Sequence, residues 1–127
     1  MKFTFSILII AVLAVSAACE KELVPAPVSF DVTVTDHDYQ VGDTITFRIS
    51  GNPDMITFYP GEPGANYDFA TNEDPDRGVP IKDISERLES FSYIYSDPGV
   101  YKAVFVAINA AGTKRESALK QIDLTIR

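Results

Sequence analysis

The sequence is poor in the residues that most chemistry needs. It has one cysteine, Cys19, one histidine, His37, and no tryptophan in 127 residues. A lone cysteine makes no intrachain disulfide, so the domain must be held by burial alone. With a single histidine, in what reads as a polar turn, no Ser/His/Asp or Cys/His set can be assembled. Paired carboxylates exist, but no spacing singles out an acid and a base, so no enzyme is expected. Basic residues are also scarce: 11 Lys and Arg stand against 18 Asp and Glu, a formal charge of −7. Such a surface repels nucleic acid and anionic headgroups. The apolar run from Phe3 to Val15 is 13 residues, too short for a confident membrane span. Hydrophobic content of 46% nevertheless excludes a disordered chain.

The N-terminus has the order of a secretory signal. Met1-Lys2 is a minimal positive region, Phe3 to Val15 is the apolar core, and Ser16-Ala17-Ala18 are small. Cys19 follows directly, and Ser16 to Cys19 resembles the lipobox of bacterial lipoproteins. That resemblance implies cleavage after residue 18 and acylation of the Cys19 thiol by diacylglycerol. The sequence departs from the commonest lipobox, which has leucine where Ser16 stands. Ser16-x-Ala18 also fits ordinary signal peptidase, so plain secretion is the alternative, and an uncleaved N-terminal helix is a third. Residues 1–18 are thus read as signal peptide, 19–27 as an acylated tether and 28–127 as one domain. Without the leader, ten basic residues face eighteen acidic ones, a charge of −8. Glu20-Lys21-Glu22 resembles the surface-export signal of Gram-negative lipoproteins that serve glycan uptake, although a solvated tether would read the same. The expected location is the outer membrane, lipid-anchored and facing the exterior, with the periplasm as alternative. Leu23 to Pro27 reads as a stiff, extended linker because of its two prolines.

The domain reads as strands. Ser29 to Thr35 alternates strictly, with Phe30, Val32 and Val34 on one face. Asp36-His37-Asp38 is a polar turn; two carboxylates around an imidazole suggest a metal, but neighbours in a loop rarely converge on one ion. Tyr39 to Ser50 places Ile45, Phe47 and Ile49 on a core face. Gly51-Asn52-Pro53-Asp54 breaks it, and Met55 to Tyr59 is a short third strand. Ile81 to Leu88 fits either one or two helical turns or an irregular edge strand. Phe91, Tyr93 and Tyr95 alternate in the next strand, and Asp97-Pro98-Gly99 turns the chain. Tyr101, Ala103, Phe105 and Ala107 then share one face, while Lys102, Val104, Val106 and Ile108 share the other. That second face is unusually apolar for an antiparallel sheet, so something must cover it, and Val104, Val106 and Ile108 are candidates for a protein interface. Ala110-Ala111-Gly112 is a turn, and Gln121 to Arg127 is the last strand, with Ile122, Leu124 and Ile126 inward.

Between the third strand and Pro80 lies a long stretch rich in proline, glycine and acidic residues. Loops this long in a compact domain are where function sits. Asp74 and Asp76, with Glu73 nearby, supply hard oxygen ligands of the kind calcium takes, but they lack the register of an EF-hand loop and read better as a solvated acidic segment. Tyr59, Tyr67 and Phe69 lie in or beside the loop. Their rings suit stacking on a sugar face, or else they pin the loop to the sheet.

The stretch from Phe91 to Gly112 is similar to the C-terminal half of PKD domains, which are immunoglobulin-like sandwiches. Tyr93, Tyr95, Pro98, Gly99, Tyr101, Asn109 and Gly112 carry the likeness, and Val41 to Phe47 resembles that family's second strand. The family's Trp-Asp-Phe-Gly-Asp-Gly signature is absent. The variant present, Ser50 to Glu62, looks like the PKD-like domains near the N-termini of surface lipoproteins encoded with glycan-uptake systems. The resemblance implies an all-β, immunoglobulin/PKD-like antiparallel sandwich of about seven strands. It implies a non-enzymatic binding module without cofactors, accessory to glycan capture. The alternative is a structural spacer or assembly subunit with a protein partner. In those relatives a second, ligand-binding domain often follows; this sequence shows none.

Overall fold

The computed structural model describes residues 24–51, 53–69, 78–84 and 86–127. Cys19 and the acidic pair Asp74 and Asp76 lie outside the described residues. Eight strands form: β1 (Phe30–Thr33), β2 (Asp38–Tyr39), β3 (Thr44–Gly51), β4 (Met55–Tyr59), β5 (Val79–Lys82), β6 (Ser90–Ile94), β7 (Gly99–Ala111) and β8 (Lys114–Ile126). They make a three-stranded sheet in the order β1-β3-β6 and a five-stranded sheet in the order β2-β8-β7-β4-β5.

The period-two pattern dictates which faces meet. Ile45, Phe47 and Ile49 of β3 are buried while Thr44, Thr46 and Arg48 are exposed. Across the sandwich, Ile56 and Phe58 of β4, Ala103, Phe105 and Ala107 of β7, and Ile122, Leu124 and Ile126 of β8 complete one core. At its centre Phe47, Phe58 and Phe105 pack mutually, with ring centroids 4.9–5.7 Å apart. By strand order these three occupy the B, C and F strands of an immunoglobulin sandwich. There an antibody domain places its disulfide and buried tryptophan. Here three phenylalanines fill that volume, each tilted or edge-on pair contributing about 0.5–1.5 kcal/mol beyond its area. This is how a chain with one cysteine and no tryptophan keeps the two sheets together. Tyr101 closes the β6–β7 corner by donating its hydroxyl to the Asp97 carbonyl, 2.8 Å away.

Three details depart from the sequence expectation, and one open alternative is settled. The sheet is not wholly antiparallel, because β2 pairs parallel with β8 and Asp38 enters a strand rather than a free turn. Thr125 and Arg127 donate backbone N–H groups to His37 and Tyr39, which makes β2 an eighth strand where about seven were expected. The last strand begins at Lys114 and not near Gln121. Lys114 to Lys120 shows no alternation because most of it is exposed on both faces, and the strand exists because β7 supplies a continuous antiparallel partner. The segment from Ile81 resolves as an edge strand that ends at Lys82, and Ile84 is exposed.

The linker stretch is partly docked. Pro25 is buried, and the Asn109 amide donates to the carbonyls of Ala26 and Pro27 at 3.1 and 3.4 Å. Asn109 Oδ1 in turn accepts the Asp54 N–H at 2.9 Å, while Asp54 Oδ2 accepts the Ala110 N–H at 2.9 Å. This reciprocal pair ties the start of the domain and the β3–β4 connection to β7.

Candidate binding groove on the outer face of the five-stranded sheet

The antiparallel register sets the outer face. Val104 lies opposite Tyr59, Val106 opposite Thr57 and Ile108 opposite Met55. On the other side Val106 faces Leu119 and Ile108 faces Ser117. Partners directly opposite in a register share a face, so these side chains all leave the sheet away from the core. Val104 is 1% exposed, Val106 and Ile108 are half-buried, and Leu119 is 37% exposed.

A groove of about 410 Å³ opens on this face, lined by Tyr59, Tyr67, Val106, Ile108, Ser117, Ala118 and Leu119. It unites two sets of residues that the sequence had suggested separately, the loop tyrosines and the apolar strand. The Tyr67 ring stands on Tyr59 at 5.3 Å and 65°, and Phe69 stands on Tyr67 at 5.1 Å and 83°. The three rings form an edge-to-face ladder rather than a coplanar platform. Tyr59 is 5% exposed and Phe69 47%, so the ladder runs from the sheet to solvent.

The loop that carries these rings has a fixed base. Tyr95, directly after β6, donates its hydroxyl to the Pro60 carbonyl at 2.7 Å. Tyr93 donates to the Glu62 carboxylate. Burial, then the hydrogen bond and charge of Glu62, push the Tyr93 phenol up to about 12. Burial likewise raises Tyr95, with the neighbouring Tyr93 and Glu62 adding to it. Both hydroxyls thus stay protonated, as donors must. Gly61 has φ 83°, and a Cβ there would meet the Lys102 carbonyl oxygen at 2.6 Å, so only glycine lets the loop lie on β7. Where the chain returns, Gly78 crosses the outer face. A Cβ at residue 78 would fall 2.5 Å from Thr57 Cγ2 and 2.6 Å from the Tyr59 ring. The base of the loop, at residues 60–62 and at Gly78, is therefore pinned beside the groove.

The other nominated residues do not join it. His37 lies at the β2–β8 edge, where its Nδ1 is 3.0 Å from the Asp123 carbonyl oxygen. Among the described residues no three His, Cys, Asp or Glu side chains group to hold a metal ion. No helix among them is long and apolar enough to cross a membrane. Gly78, Ser117 and Leu119 were missed by sequence reasoning. Pairing residues outward from the two-residue turn at Gly112-Thr113 would have placed Leu119 opposite Val106.

The fold and groove together define an immunoglobulin-type β-sandwich with a ligand-sized hollow on one sheet. The family model described as "Domain of unknown function (DUF5017)" matches residues 18–87, more than half of the chain, and the chain belongs to that family. The match spans β1 to β5 and the groove's loop, and stops before β6. No curated protein matches the chain, and no solved structure does.

Proposed function

We propose that the mature protein is a non-enzymatic binding module, anchored through an acylated Cys19 in the outer membrane and facing the exterior, that holds neutral glycans as an accessory to their capture. The observation that carries this reading is the groove with its aromatic ladder. Saccharide rings pair apolar faces with polar rims, and the groove offers aromatic edges, an aliphatic floor and the Ser117 hydroxyl. The acidic surface favours uncharged polymers over anionic ones. Among the described residues that line the hollow there is no carboxylate, histidine or lysine. Two further features support the reading. The family match begins at residue 18, directly before Cys19. The PKD-like stretch forms β6, the turn and β7 in the expected order.

The chain carrying Cys19→Ser should leave the membrane fraction, and retention there would refute acylation. On native gels containing starch, xylan or galactomannan, at least one polymer should retard that soluble chain. Phe69→Ala removes an exposed ring worth about 1 kcal/mol, a roughly fivefold loss of affinity. Retardation by none of the three would remove the glycan reading. A second reading, an assembly subunit with a protein partner, is favoured by the exposed Leu119 beside Val106 and Ile108. It requires co-purification of a membrane protein that Val106→Lys abolishes.

A further inference from the structure

We propose that two copies of the chain pair through the free edge of β8 about a two-fold axis at Ala118, which joins their five-stranded sheets into one. The inference is independent of what the groove binds.

The edge is identified by its hydrogen bonds. The register of β8 on β7 is regular from Lys114 to Ile126. Thr125 and Arg127 direct their N–H groups away from β7, toward His37 and Tyr39. Strand alternation then points the backbone groups of Arg115, Ser117, Leu119 and Gln121 the same way. Strand β2 reaches only Thr125 and Ile126, and the His37 ring occupies the Asp123 carbonyl. Among the described residues no strand pairs with β8 from Arg115 to Gln121 on this side; the Lys120 ammonium there lies 3.8 Å from the Asp31 carboxylate of β1. A seven-residue open edge is a template for another strand.

The sequence of that edge selects the occupant. Antiparallel self-pairing centred on Ala118 sets Ser117 against Leu119 of the second copy and Arg115 against Gln121. All four N–H and C=O pairs on each copy are then used, and the open window is itself centred on Ala118. The same register puts Glu116 directly opposite Lys120, twice, and the small Ala118 on the axis. A register centred one residue earlier would oppose Lys114 and Lys120. One centred a residue later would leave Glu116 facing Ile122 and would need the Asp123 carbonyl that His37 holds. Only the Ala118 register is complementary in both hydrogen bonds and charge. The axis stands perpendicular to the sheet, so both grooves open on the same side.

The test uses the Cys19→Ser chain. With Ala118→Cys added, the axial pair is close enough for a disulfide, and mild oxidation should give a covalent dimer. With Lys120→Cys instead, the thiols are staggered by four residues and should not link. In sedimentation velocity at up to about 100 μM, two decades above the micromolar end of specific interfaces, the chain should show dimer. Glu116→Lys should return it to monomer, and adding Lys120→Glu should restore the dimer. Both side chains are exposed, and the ion pair that Lys120 makes with Asp31 lies at the surface, where such a pair contributes at most about 1 kcal/mol, so neither change threatens the fold. A monomer throughout, equal cross-linking at 118 and 120, or a dimer indifferent to Glu116→Lys would each overturn the proposal.

Discussion

Replacing Asn109 should unlatch the domain's entry segment and lower its stability by about 2–3 kcal/mol. The side chain is buried at 9% exposure and makes two well-formed bonds, one accepting from Asp54 N–H at 2.9 Å and one donating to the Ala26 carbonyl at 3.1 Å. A net intramolecular hydrogen bond contributes about 1 kcal/mol, and stranding a part-buried partner adds to the loss. For a domain of this size each kcal/mol lowers Tm by about 4–8 °C, so Asn109→Ala should melt about 10–20 °C earlier. Urea unfolding followed by circular dichroism should show a lower midpoint with an unchanged slope. Asn109→Asp separates the two bonds. It keeps the acceptor for Asp54 but replaces the donor with an oxygen facing two carbonyls, so it should destabilise as much as alanine does. If both variants fall within about 0.5 kcal/mol of the parent, as ordinary surface changes do, the latch is not formed and the argument fails.

Three further outcomes are expected. Phe105→Ala empties the centre of the aromatic trio, where the residue is 0% exposed, and should cost about 3–5 kcal/mol by chemical denaturation. Gly78→Ala forces a methyl against Thr57 and Tyr59 and should cost about 1–3 kcal/mol, with Tyr59 fluorescence changed. The Tyr93 phenol should leave stability unchanged below about pH 10 and lower it above. The unfolded Tyr93 loses its proton near 10.0 while the folded one holds it to about 12, so rising pH favours the unfolded chain across that window. Tyr93→Phe should flatten part of the decline in alkaline titrations of the unfolding midpoint.

Most of the sandwich was legible because its strands are half-buried. Ile45, Phe47 and Ile49, and Tyr101, Ala103 and Phe105, alternate so regularly that face and partner sheet follow from period two. Strand β2 was not legible, since two residues carry no period and its existence depends on the parallel contact with β8. The first half of β8 escaped for a related reason: an edge strand wet on both faces shows no alternation, and only pairing with β7 defines it. The groove was half legible. Tyr59, Tyr67, Val106 and Ile108 stood out as aromatic or apolar residues in unexpected places, but their juxtaposition is a consequence of the β4–β7 register. Ser117 and Leu119 entered only through the β7–β8 hairpin.

The claim that the outer-face groove is the binding surface is tested most directly by Val106→Lys, which raises a charge from the groove floor without touching the core. In calorimetric titration of the Cys19→Ser chain with an oligosaccharide of whichever neutral polymer retards it, affinity should fall at least about tenfold, a change of about 1.4 kcal/mol, with the unfolding midpoint unchanged. Unaltered affinity in the folded variant, or no binding by the parent chain, would contradict it.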